Sequence, residues 1–205
     1  MDNDQRVSEA RRGLVLAATT RALAAQAPDG RLPLGESVTW DIFPFDGSIS
    51  IRPLDDPQLP EPPLSGANGV DCMVCDRVGA ESLWTDGRWT VREMGGGPQP
   101  LLTLFLEPVE HVDLTDLDEE GAADLGRHIV RVTRAIETLP GVGRVHVNRW
   151  GDGAEHLHIW FFVRPAGMMQ LRGSGLVDWF DILPPMSQED WDADLAALRI
   201  ALAAQ

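Results

Sequence analysis

The stretch Glu155-His156-Leu157-His158-Ile159-Trp160-Phe161-Phe162-Val163 decides how this chain is read. Its composition and alternation predict a strand from His156 to Val163. Residues two apart on a strand share a face. Leu157, Ile159, Phe161 and Val163 therefore form one apolar face, and His156 and His158 stand side by side on the other. Two adjacent imidazoles are either polar groups on a solvated face or the start of a site. The strand alone leaves both readings open.

Working upstream, Val142 to Asn148 reads as a second strand, joined to the first by Arg149-Trp150-Gly151-Asp152-Gly153-Ala154. Before it, Ala122, Leu125, Ile129, Val132, Ile136 and Leu139 recur at helical spacing and predict one long helix with a single apolar stripe. Thr115-Asp116-Leu117-Asp118-Glu119-Glu120 supplies capping groups and acids at its start, and Pro140-Gly141 closes it. Leu101 to Glu107 is an apolar strand. Leu83–Thr85 and Trp89–Glu93 flank Asp86-Gly87, a hairpin signal. The order hairpin, strand, long helix, hairpin predicts an α+β fold with an antiparallel sheet, and argues against a Rossmann or thioredoxin layout.

Downstream, Arg172-Gly173-Ser174-Gly175 reads as a turn. Ser187-Gln188-Glu189-Asp190 opens a C-terminal helix that buries Trp191, Leu195, Leu198 and Leu202. At the other end, Val7 to Gln26 reads as a helix. Val38 to Phe43 and Ser48 to Arg52 read as strands around the turn Phe45-Asp46-Gly47. Pro53 to Asn68 is a proline-rich connector that is neither helix nor central strand. The expected division is an N-terminal helix-and-hairpin extension, residues 1–66, and a main domain with its C-terminal helix, residues 67–205.

The chain has 205 residues, 43% of them hydrophobic, and a formal net charge of −15. That is enough apolar material for a core. So acidic a surface repels phosphate backbones and anionic membranes, so neither a nucleic-acid polymer nor a membrane is expected as partner. A small phosphorylated ligand stays open, because a few arginines or backbone N–H groups hold one phosphate. Arg149, Arg164 and Arg172 are candidate anion contacts. Met1 to Arg12 is polar and carries acids, no signal peptide is expected, and the default location is cytoplasmic.

There, a Cys-x-x-Cys pair points to metal or redox chemistry before a disulfide. The pair is Cys72-Met73-Val74-Cys75, and two thiolates at this spacing reach one zinc ion. Zinc ranks above a redox pair, since the flanks lack a strand-to-helix context. A pair of free loop thiols is the plain alternative. Two further ligands are needed, and histidines are the candidates, because the chain has no other cysteine. His146 shares a strand face with Asn148, as a supporting group or a plain strand histidine. His128 reads as helix surface or a dimer contact. Trp150, Trp160 and Trp179 either line a pocket for a planar ligand or pack the core.

The ordered set resembles the histidine-triad superfamily, including its galactose-1-phosphate uridylyltransferase branch. A Cys-x-x-Cys is followed by a strand ending in Leu106-Glu107-Pro108-Val109-Glu110-His111-Val112, then the long helix, Asn148, a glycine loop and His156-Leu157-His158. The resemblance spans roughly Asp71 to Pro165, about half the chain. It implies a structural zinc on Cys72, Cys75, His111 and His156. It implies that His158 is a nucleophile that attacks the α-phosphorus of a nucleotide, in a nucleotidyl hydrolase or transferase. Asn148, Gly151, Gly153 and Trp160 would then contact the substrate, and a homodimer is expected.

The sequence departs from the family in three places. Trp160 replaces the third histidine of the triad, as the uridylyltransferase branch also lacks it, and an indole donates one N–H but shuttles no proton. Asp152 and Glu155 bring acids to the phosphate loop. Val109 and Glu110 stand where basic residues often precede the equivalent of His111. Two alternatives accompany the enzyme reading: a catalytically silent, zinc-stabilised binding protein, and a divergent enzyme using His158 as general base.

Overall fold

The computed structural model describes residues 35–45, 49–50, 52, 58, 60–77 and 82–205. The expected helix over Val7–Gln26 lies outside them. The chain divides into two compact units, Met1–Trp40 with Phe45–Glu61, and Asp41–Pro44 with Pro62–Gln205. In the first, Glu36–Thr39 is a 3-10 turn, closed by Thr39 Oγ1 donating to the Glu36 carbonyl at 2.8 Å. The strand expected over Val38–Phe43 is not formed. Residues 41–44 are turn and bend, and no ladder partner lies beside them among the described residues. Strand composition without a partner does not make a strand.

The second unit holds a five-stranded antiparallel sheet of order β1-β2-β3-β5-β4. The strands are β1 (Trp84–Thr85), β2 (Trp89–Glu93), β3 (Thr103–Pro108), β4 (Val142–Asn148) and β5 (Ile159–Pro165). The helices are α1 (Glu119–Glu137), α2 (Gly175–Phe180) and α3 (Gln188–Ala203). This is the expected α+β architecture. The β1–β2 turn forms because Gly87 takes φ 90° and Asp86 Oδ1 accepts from the N–H groups of Arg88 and Trp89, at 2.9 and 2.8 Å. Asp118 caps α1 by accepting from Gly121 N–H at 2.7 Å.

One sheet face packs under α1 and α3. Leu104, Leu106, Leu157, Ile159, Phe161 and Val163 meet Val132, Ile136, Trp191 and Leu198 there. Burying each such side chain stabilises the fold by about 1.5–3 kcal/mol. The apolar alternation of the histidine stretch is what places this face. The stripe on α1 differs from expectation at two positions. Ala122 is exposed, and His128 is buried between Trp84 and Trp89, with ring centroids 5.2 and 5.7 Å away. It is a core residue rather than helix surface. Its Nε2 lies 3.2 Å from Asp86 Oδ2 in the hairpin turn, while its Nδ1 is buried with no hydrogen-bond partner.

β5 begins at Ile159, so His156 and His158 lie on the segment leading into it, with His156 in a bend, rather than in the ladder. The reason is Pro108, which ends β3 and has no N–H to continue pairing. Instead Leu157 N–H donates to the Val112 carbonyl at 2.8 Å, and the His156 ring reaches the Pro108 carbonyl at 3.0 Å.

Candidate metal and histidine site

The cysteine loop is tied to the histidine lead-in by main-chain bonds. Ser65 N–H donates to the Gly153 carbonyl at 3.2 Å, and Glu155 N–H donates to the Ser65 carbonyl at 2.8 Å. Gly66 follows with φ +82°, and a Cβ there would sit 2.9 Å from both Cys72 Cβ and His111 Cε1. Only glycine allows that approach. Past Gly66 the chain turns through Cys72–Cys75. Asp76 N–H donates to the Cys72 carbonyl at 3.0 Å, and Cys75 N–H points at Cys72 Sγ at 3.4 Å.

Four donor atoms converge. One ligand atom from each of Cys72, Cys75, His111 and His156 lies within 4.8 Å of all the others. Cys75 Sγ is 3.3 Å from His111 Nδ1 and 3.4 Å from His156 Nδ1, and Cys72 Sγ is 3.5 Å from His156 Nδ1. A tetrahedral cation with arms of about 2.0–2.3 Å has edges of roughly 3.3–3.8 Å, so the donor set fits one. The His156 ring is oriented for it, since Nε2 is taken by the Pro108 carbonyl and Nδ1 is left for the cluster. Burial holds His156 below its usual pKa, against the raising effect of the Pro108 carbonyl, which favours the neutral ligand form. Burial, followed by Cys72, pushes the Cys75 thiol up to about 11, so without a cation this thiol keeps its proton at neutral pH.

His158 faces elsewhere. A carbonyl only accepts, so its Nδ1–H donates to the His156 carbonyl, at 2.8 Å. That fixes the tautomer of the neutral ring and leaves Nε2 with a free lone pair. Its neighbours are aromatic: Phe105 at 6.1 Å and Trp160 at 6.3 Å between ring centroids. Asn148, Trp160 and Phe105 stand in one cross-strand row on this sheet face. Trp160 stacks on Phe162 at 5.4 Å, and the half-exposed Trp150 closes edge-on against both. Trp160 Nε1 is buried with no hydrogen-bond partner. Trp179 packs against the same apolar cluster as Trp160, around Phe162, Leu171 and Leu176, and donates to the Ile42 carbonyl at 2.8 Å.

The loop between β4 and β5 does not use its charges as the sequence suggested. Glu155 is turned back to accept from Asn68 N–H at 3.0 Å. Arg149 forks onto Asp113 at 2.7 and 2.8 Å, and Gly151 leaves room for its guanidinium, since a Cβ there would lie 2.6 Å from Arg149 Nη1. Burial raises the Asp113 pKa, but the Arg149 and Leu114 hydrogen bonds outweigh it and hold the carboxyl below its usual range. Arg172 pairs with Asp41 at 2.7 Å, and Arg164 donates to the Pro165 carbonyl at 3.1 Å. All three candidate anion contacts are thus engaged within the protein. Gly153 offers its carbonyl to Ser65, and a Cβ there would meet open space.

Sequence reasoning passed over Gly66, which seats the cysteines against His111, and the ion cluster of Glu107, Arg92 and Arg77 on the same sheet face as His158. An acid inside the apolar run Leu104-Phe105-Leu106-Glu107 was the available signal for the second. Its partners needed the β2–β3 register, which no local pattern supplies.

No family model matches this chain, and no curated protein does. Solved structures do resemble it. A histidine triad protein from Bradyrhizobium japonicum superposes with a TM-score of 0.49 and 20% identity, over 60% of this chain and 90% of that one. A zinc-bound histidine triad family protein from Mycobacterium smegmatis gives 0.43 and 21%, over 65% and 94%. A uridylyltransferase gives 0.45 and 20%, over 65% of this chain and 45% of that one.

Proposed function

We propose that this chain is a histidine-triad-like protein that transfers or hydrolyses a nucleotidyl group through His158, with a structural zinc on Cys72, Cys75, His111 and His156. The observation that carries this reading is the opposed orientation of two neighbouring histidines. His156 gives Nδ1 to the thiols, while His158 gives Nδ1–H to the His156 carbonyl and keeps Nε2 free. A closed four-donor set holds a cation without an open position, so zinc there supplies rigidity rather than chemistry.

In this reading Nε2 of His158 forms a bond to the α-phosphorus of a bound nucleotide. The bond from that phosphorus to its leaving oxygen breaks, and the electron pair departs with the leaving group. The positive charge gained by the ring is stabilised through Nδ1–H and the His156 carbonyl, which hold a fixed line. Water or an acceptor hydroxyl then attacks the phosphorus and releases His158. Trp160 stands 6.3 Å from the His158 ring, Asn148 pairs with Trp160 across the strands, and the Gly151 and Gly153 loop follows the end of β4. Residues 67–205 carry the metal-binding and reacting side chains in this scheme, and Ser65 and Gly66 seat them.

One observation favours a second reading, a silent zinc-stabilised binding protein. Trp160 shuttles no proton, so a leaving group that needs protonation has no donor in its place. The two are separated by incubating the protein with nucleoside phosphoramidates, dinucleotides and nucleotide sugars. An adduct on His158 by mass spectrometry supports transfer. No adduct and no turnover, with zinc bound, leaves the binding reading.

A further inference from the structure

Glu107 is wholly buried, on the sheet face that carries Phe105 and Trp160. Two guanidinium groups converge on it. Arg92 reaches Oε2 through Nε at 3.0 Å and Nη2 at 2.8 Å, and Arg77 reaches Oε1 through Nη2 at 3.1 Å. Arg92 also donates to the Arg77 carbonyl. Arginine keeps its charge in any protein environment, so one carboxylate faces two fixed cations and the trio carries an excess positive charge. The chain as a whole has a net charge of −15, yet no second carboxylate among the described residues pairs with either arginine. An uncompensated charge in a partly buried place attracts an anion strongly, because the local dielectric is low.

Arg77 is the open member. Its side chain is 37% exposed, against 6% for Arg92. Its Cζ lies over the Phe105 ring at 5.4 Å, and the same ring stands edge-on to His158 at 6.1 Å. Arg77 Nε is buried and bonds nothing, although Nη2 is engaged by Glu107. A guanidinium fixed at one end by a carboxylate, supported on a ring and 37% exposed is prepared for a second acceptor. We infer that Arg77 is the anion-holding residue of this site, binding a phosphate group of a ligand seated against His158. Glu107 and Arg92 are positioning residues, which set the fork and prevent it from swinging out. This deepens the nucleotidyl-transfer reading and rests on it only for which phosphate is held. Arg149 and Arg172 each hold a carboxylate of their own, and Arg164 is buried and turned onto main-chain carbonyls, whereas Arg77 shares one carboxylate with Arg92.

The probe is pyrophosphate, titrated onto the full chain by calorimetry at low ionic strength. Arg77→Gln should weaken binding by about tenfold or more, the scale of one charge-assisted hydrogen bond. Arg77→Lys should recover part of the loss by restoring charge without the fork, and Arg172→Gln should change nothing. His158→Asn should still bind pyrophosphate, so loss of the covalent chemistry is distinguishable from loss of the anion site. Metal content and melting temperature of each variant show whether the fold is kept. If Arg77→Gln does not fold, phenylglyoxal modification of the wild type replaces it, and pyrophosphate should protect Arg77 but not Arg172. Unchanged binding in a folded Arg77→Gln, no protection of Arg77, or no pyrophosphate binding by the wild type overturns the proposal.

Discussion

The main-chain carbonyl of His156 accepts the Nδ1–H of His158 at 2.8 Å, while the His156 ring turns away to the thiols of Cys72 and Cys75. One peptide unit therefore links the four-donor cluster to the His158 ring. Anything that displaces His156 also releases the tautomer of His158.

Metal removal tests the cluster. The purified protein should contain about one zinc per chain, and Cys72→Ser or Cys75→Ser should abolish it. Chelation should lower the melting temperature by on the order of 10 °C. A zinc-free protein that melts at the same temperature before and after chelator treatment would count against the site.

His158→Asn tests the nucleophile. Turnover should fall by on the order of 10³-fold or more, with the covalent adduct lost. Zinc content and melting temperature should stay unchanged, because the His158 ring is not part of the donor set. Retained turnover would transfer the role to another group.

Gly66→Ala tests the packing beneath the cluster. The substitution places a Cβ 2.9 Å from Cys72 Cβ and His111 Cε1, at a φ of +82°. It should destabilise the protein by about 1–3 kcal/mol and weaken zinc retention, read by urea unfolding and a chelator competition. Wild-type values in both would show that the loop has slack.

His128 should make stability depend on pH. Burial, the largest effect, lowers its pKa against the pull of Asp86 and Asp124, with Arg131 and Arg127 adding to the lowering. The unfolded chain therefore takes up this proton first. The contribution is complete above the unfolded value of about 6.5 and is lost as pH falls through it toward the folded value. Urea midpoints measured between roughly pH 7.5 and 5.5 should fall less steeply in His128→Gln than in the wild type. Identical slopes would show that His128 is not the responsible group.

Much of the fold was legible along the chain because it depends on local periodicity. The α1 stripe, the Asp86-Gly87 turn, the Ser187 cap and the apolar alternation of Leu157 to Val163 each require only neighbours in sequence. Val38–Phe43 has strand composition, but Glu36–Thr39 forms a 3-10 turn and residues 41–44 form turn and bend. His128 was misread because its burial depends on two tryptophans brought beside α1 by the β1–β2 hairpin.

The site divides in the same way. Residue type and spacing alone offered Cys72 and Cys75 as a metal pair, whereas the strand face expected to carry His156 and His158 side by side is not formed, since β5 begins at Ile159. Whether four donors meet within 4.8 Å, which way each imidazole turns, and that Glu155 and Arg149 are spent on Asn68 and Asp113 were decided by the tertiary structure. Sequence carries the period of a side chain along its own element. It does not carry the register between strands, and on that register depend the buried charge cluster under Phe105 and the direction of every group around His158.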